Sequence, residues 1–85
     1  MSATIMEGRL LAALLADTAL AQQGFTSVIS ATGGVVIERR GHCFGLWRWN
    51  HGMFNFVAAG YSESSAEMET VAEALHFTRQ RCLAA

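Results

Sequence analysis

The sequence predicts an α+β domain: an antiparallel sheet of three or four strands between an N-terminal and a C-terminal helix, in the order α-β-β-β(-β)-α, with both helices on one face. Three observations lead there. Apolar residues recur at helical spacing at both ends of the chain, they alternate with period two between about residues 25 and 59, and the 85 residues allow one small core. A chain of this size buries roughly 63 % of its unfolded surface on folding, enough for one domain over residues 1–85 and too little for two.

The first helix is expected over residues 5–23. Thr4 and Glu7 form the capping-box pattern T-x-x-E, Leu10, Leu11, Leu14 and Leu15 make a wide apolar stripe, and Gly24 is a natural stop. The strands begin after it. Phe25, Ser27, Ile29 and Ala31 alternate, as do Val35, Ile37 and Arg39, around the turn Thr32-Gly33-Gly34. A two-residue loop mixes polar and apolar side chains on one face. A three-residue loop pairs Ile29 with Ile37 and Ala31 with Val35, keeps one face apolar, and puts Gly34 in the left-handed region.

A second hairpin runs from Cys43 to Trp49 and from Met53 to Ala59 around His51-Gly52. A two-residue turn pairs Trp49 with Phe54, Trp47 with Phe56 and Arg48 with Asn55, leaving Phe44, Leu46, Met53 and Val57 on the opposite face. Arg40-Gly41-His42 either turns the chain or kinks one long strand. The last helix is expected over residues 65–83, capped by Ser64 and Glu67, with Met68, Val71, Ala72, Leu75 and Cys82 on one face. Its early acids, Glu67, Glu69 and Glu73, and its late Arg79 and Arg81 complement the helix dipole.

Composition excludes several classes. With 52 % apolar and 15 % charged residues the chain is not disordered, and a net charge of −1 without a single Lys leaves no polybasic tail. No apolar run reaches the ~18–20 residues of a membrane span. Leu10–Ala16 followed by Ala19-Leu20-Ala21 imitates a signal peptide, but Glu7 and Asp17 fall where such a segment avoids acids. A cytoplasmic protein with reduced Cys43 and Cys82, both on apolar faces and slow to react, is the expectation.

Catalytic chemistry finds little support. His42, Cys43, His51, His76 and Cys82 lack zinc-ligand spacing, and neighbours on a strand point to opposite faces. No Cys–His nucleophile motif, phosphate loop or dinucleotide fingerprint is present, so neither an enzyme nor a bound cofactor or metal is expected. The element order α-β-β-β-α resembles that of the double-stranded RNA-binding fold. The resemblance implies phosphate contacts from Lys at the start of the last helix, where this chain carries Glu63, Glu67 and Glu69.

The informative feature is a hairpin apolar on both faces. Trp47, Trp49, Phe54 and Phe56 together bury about 600–1,000 Å² when covered, more than one small monomer usually leaves bare. They are core, or they face a second copy or another partner. The functional reading is a small non-enzymatic protein-binding module of adaptor or inhibitor type. It is a homodimer that binds another protein through the aromatic face and an acidic helix, with Trp47, Arg48, Trp49, Phe54, Phe56, Arg39, Arg40, Glu67 and Glu73 as the surface. Phage anti-CRISPR proteins are an analogy of size and surface for such an inhibitor. The alternative is single-stranded nucleic-acid or RNA binding, with Trp47 and Trp49 stacking bases between Arg39, Arg40 and Arg48. Residues 25–61 carry a net charge of +2 against −3 for the rest, weak for phosphate binding.

Overall fold

The computed structural model describes residues 2–83. Its elements, in order, are α1 (Ala3–Ala16), α2 (Thr18–Gln22), β1 (Phe25–Ile29), β2 (Val35–Arg39), β3 (His42–Asn50), β4 (Met53–Ala58), β5 (Ala66–Met68) and α3 (Val71–Leu83). The five strands form one antiparallel meander, β1-β2-β3-β4-β5, with the helices on one face. The α+β class and the flanking helices are as the sequence predicts. The fifth strand goes beyond the three or four expected and departs from the element order of the double-stranded RNA-binding fold.

The single helix expected over residues 5–23 is two. Ser2, not Thr4, caps α1, its Oγ accepting from the Ile5 amide at 3.3 Å, so Glu7 is released from the capping role and turns inward. Asp17 interrupts the helix in an extended conformation (φ −77°, ψ 113°) and its carboxylate accepts from the Leu20 amide at 2.9 Å, starting α2. A short polar side chain that bonds its own neighbouring backbone competes with helix continuation. The other carboxylate oxygen of Asp17 meets Arg79 Nε at 3.3 Å and ties this corner to α3.

The first hairpin keeps its expected faces but not its register. Ile29 pairs with Val35, Ser27 with Ile37 and Phe25 with Arg39, a shift of two residues. Ser30 and Gly34 close a three-residue loop, with the Ser30 amide donating to Gly34 O at 2.9 Å. Gly34 is left-handed, as expected, and so is Gly33. An even shift preserves which side chains face the core, so the alternation alone does not distinguish the two registers. Arg40 and Gly41 both have positive φ (53° and 81°), so residues 40–41 are a tight turn and not a kink. The second hairpin has the expected register, Trp49–Phe54, Trp47–Phe56 and Arg48–Asn55, around His51-Gly52.

The start of the last helix is the larger departure. Residues 66–68 extend the sheet as β5, and α3 begins at Val71. Thr70 caps it, with Oγ1 accepting from the Glu73 amide at 3.1 Å and donating to the Glu73 carboxylate at 3.0 Å. Thr70-x-x-Glu73 is thus the working cap; of the Ser64/Glu67 pattern, Ser64 lies in the loop before β5 and Glu67 inside that strand. The buried face of α3 is Ala74, Thr78 and Cys82; Ala72, expected inside, is exposed.

One glycine is fixed by packing. A Cβ on Gly45, in the middle of β3, would overlap the ring of Phe56 across the strand pair and crowd Val57 O. Phe56 is itself buried and has nowhere to move. Gly45→Ala is expected to destabilise the fold by about 1–3 kcal/mol, read as a lower denaturant midpoint at unchanged slope.

Candidate functional site

The cross-strand register sorts the sheet into two faces. Trp47, Phe54 and Phe56 lie on the helix-covered face at 0 %, 0 % and 1 % exposure. They form the core with Leu10, Leu14, Leu20, Val35, Ile37, Ala74 and Cys82. Trp47 stands at the centre, with ring centroids of Phe56 at 5.0 Å, Phe77 at 5.6 Å and Phe54 at 6.3 Å. Its indole N–H donates to Thr78 Oγ1 at 2.9 Å, and that hydroxyl donates to Ala74 O at 2.8 Å. A buried tryptophan keeps its polar atom only with such a partner. Trp49 is half-buried beside Phe54, 4.8 Å between ring centroids.

The aromatic face is therefore interior, which corrects its assignment as the binding surface: α1 and α3 cover it within one copy. Trp47, Phe54 and Phe56 have no accessible surface to give a partner, and Trp49 has only a part.

The charged residues also separate. Arg48 is exposed on the opposite face from Trp47 and Trp49, so the three build no common stacking platform. Arg39 is half-buried with its guanidinium 5.2 Å from the Phe25 ring centroid, and Arg40 is exposed in its turn. Glu67 and Glu73 share no acidic helix: Glu67 is the middle residue of β5 and Glu73 belongs to the α3 cap.

What remains open to solvent is the helix-free face. Val28 pairs with Val36, Val36 with Leu46 and Leu46 with Val57, so one apolar row crosses four strands. Arg48, Asn55 and Glu67 form the row on one side, and Thr26, Glu38 and Cys43 the row on the other. Val28 is exposed, while Val36, Leu46 and Val57 are half-buried. Leu46 and Val57 were legible as outer residues. Val28 and Val36 were missed, although their signal is in the sequence, because β1 and β2 carry apolar side chains at even as well as odd positions. Phe44 moves the other way. A bulge after Ile37, which pairs with Gly45 while Glu38 pairs with Cys43, leaves Phe44 without a partner in β2. It turns to the Phe25 ring at 4.9 Å.

The sequence also gave no warning of Glu7. Its carboxylate is buried, 7 % exposed, and accepts from two backbone amides, Gly34 through Oε1 and Trp49 through Oε2, each at 2.9 Å. Both oxygens are thus occupied by the protein itself. Among the described residues no group of three His, Cys, Asp or Glu side chains is placed to hold a metal ion. No described helix is long and apolar enough to cross a membrane.

The chain matches no protein-family model, and no curated protein or solved structure matches it.

The two cysteines differ, against the expectation that both are shielded. Cys43 is exposed and Cys82 is buried, its thiol pKa pushed up by burial and drawn back only in part by Arg81. Native protein should therefore label rapidly at Cys43, and at Cys82 only as fast as the fold opens, which peptide mapping after timed thiol labelling resolves. Glu7→Ala should cost about 2–4 kcal/mol, because two amides lose a charged acceptor, and Glu7→Gln less; urea unfolding of the three proteins gives the order.

Proposed function

We propose that this chain is a small non-enzymatic protein-binding module whose docking surface is the helix-free face of its sheet. The observation that carries this reading is the row Val28, Val36, Leu46 and Val57, which runs unbroken across four strands without a helix over it. An antiparallel sheet with one solvated face normally alternates apolar-in and polar-out, and this row breaks the alternation on the face that no helix covers. The partner that fits is a protein with its own apolar ridge. Arg48 and Glu67 on one flank and Glu38 on the other give the apolar row a charged rim.

The module reading suits the rest of the molecule. The buried carboxylate of Glu7 serves two backbone amides, which gives it a structural role in joining α1 to the sheet. Use as an adaptor or as an inhibitor, in the manner of phage anti-CRISPR proteins, fits a chain of 85 residues that offers one compact face. Nucleic-acid binding loses its motive once Trp47 is interior and Arg48 stands on the far side of the sheet from both tryptophans.

A photo-reactive leucine at position 46 tests the reading in the source cell. It is expected to cross-link to a protein, the same label at buried position 10 is not, and Leu46→Asp should release the captured partner without lowering the melting temperature. Cross-links from position 46 to nucleic acid alone, or none from it at all, would contradict the proposal. So would saturable quenching of tryptophan fluorescence by oligonucleotides.

A further inference from the structure

The two edges of the sheet are built differently. β5 is three residues long and carries Glu67 at its centre, and a short strand with a charge on it resists pairing with another chain. β1 at the other edge has five residues, Phe-Thr-Ser-Val-Ile, with no charge, no Pro and no bulge. It has none of the features that keep an edge from pairing.

The backbone groups on its free side follow from the hairpin. The Ser30 amide donates to Gly34 O, so by antiparallel alternation Val28 and Thr26 are the residues bonded to β2. The N–H and C=O groups of Phe25, Ser27 and Ile29 point outward, and none of them meets a hydrogen-bond partner among the described residues. The three are evenly spaced about Ser27. An antiparallel copy of the same strand, related by a two-fold axis at Ser27, places Ser27 opposite Ser27 and Phe25 opposite Ile29. All three positions become hydrogen-bonded pairs, with two bonds in each.

The side chains agree with this register. A cavity of about 280 Å³ opens beside β1, lined by Leu15, Leu20, Gly24, Phe25 and Ser27 among others. Ile29 is on the same sheet face as Phe25 and is 46 % exposed, beyond the reach of its own helices. The register that joins the strands brings the second copy's Ile29 next to Phe25, at the mouth of that cavity. Leu15, 59 % exposed, forms its outer lip. Three of the large apolar side chains left exposed by the fold, Leu15, Val28 and Ile29, thus gather along this one edge.

We infer that the protein is a homodimer joined through β1, with the two sheets continuous across the seam and Ile29 of each copy seated in the cavity of the other. The contact is isologous, so it closes at two copies. It leaves the helix-free face open: in this register Val28 of one copy lies opposite Thr26 of the other, so the two apolar rows meet offset by two residues on one broad surface.

Light scattering of the full chain near 100 µM should give twice the 9.2 kDa of one chain. Ile29→Lys should weaken association at least about 100-fold and return the single-chain mass with unchanged circular dichroism, whereas Leu46→Asp should leave the dimer whole. In the unaltered protein the amides of Phe25, Ser27 and Ile29 should exchange more slowly as concentration rises. A single-chain mass at that concentration, a dimer that survives Ile29→Lys, or amide exchange at these three positions that ignores concentration would overturn the edge pairing. A dimer dispersed by Leu46→Asp alone would move self-association to the helix-free face, refuting the edge and leaving the docking surface in place.

Discussion

A single carboxylate holds the two layers of this protein in register. The paired part of β2 and β3 ends at Val35 and Trp47, where the chain curls into the Ser30–Gly34 loop. Beyond that point the amides of Gly34 and Trp49 have no strand to bond. Glu7, from the second turn of α1, supplies both acceptors. Hydrogen bonds to an ionised group are stronger than neutral ones, and a buried carboxylate is tolerated only when its oxygens are satisfied in this way. The two bonds span 27 and 42 positions of sequence, and so fix both where α1 lies and how it is rotated.

The rest of the inner face follows from that placement. Leu10 and Leu14 lie one and two turns further along the same side of α1 as Glu7, and both are core residues. With α1 over the sheet, α3 packs beside it and closes over Trp47 through the Thr78 hydroxyl. The aromatic cluster is thereby used up in making one small domain fold. What could meet another protein is displaced to the opposite face, which the helices do not cover, and to the free edge of the first strand.

Most of the architecture was legible because period-two and period-3.6 patterns depend only on which residues are apolar. The His51-Gly52 hairpin was readable to the register, since one loop length alone sets Trp47 against Phe56. The first hairpin was not, because registers two residues apart present the same faces. Asp17 and Thr70 were hidden by better-looking signals nearby: the leucine run carries smoothly across residue 17, and Ser64/Glu67 imitates a cap that Thr70/Glu73 supplies. The surface was misread for a different reason. Aromatic area tells how much must be covered, not by what, and the helices of the same chain proved sufficient. Glu7 was beyond reach because a helix-start acid has a local explanation that looks complete. Only the distant loss of strand partners at Gly34 and Trp49 gives it another role.

Residue-resolved amide hydrogen exchange measures that clamp directly. Gly34 lies outside the strands and Trp49 lies past the last β2–β3 pair, so without Glu7 their amides would exchange like those of a loop. Held by the carboxylate, they should exchange only with global unfolding, at the same free energy of opening as the core amide of Trp47. Exchange of Gly34 and Trp49 at the rate of the exposed loop residues Ala31 and Thr32, with Trp47 still protected, would show that Glu7 does not join the layers.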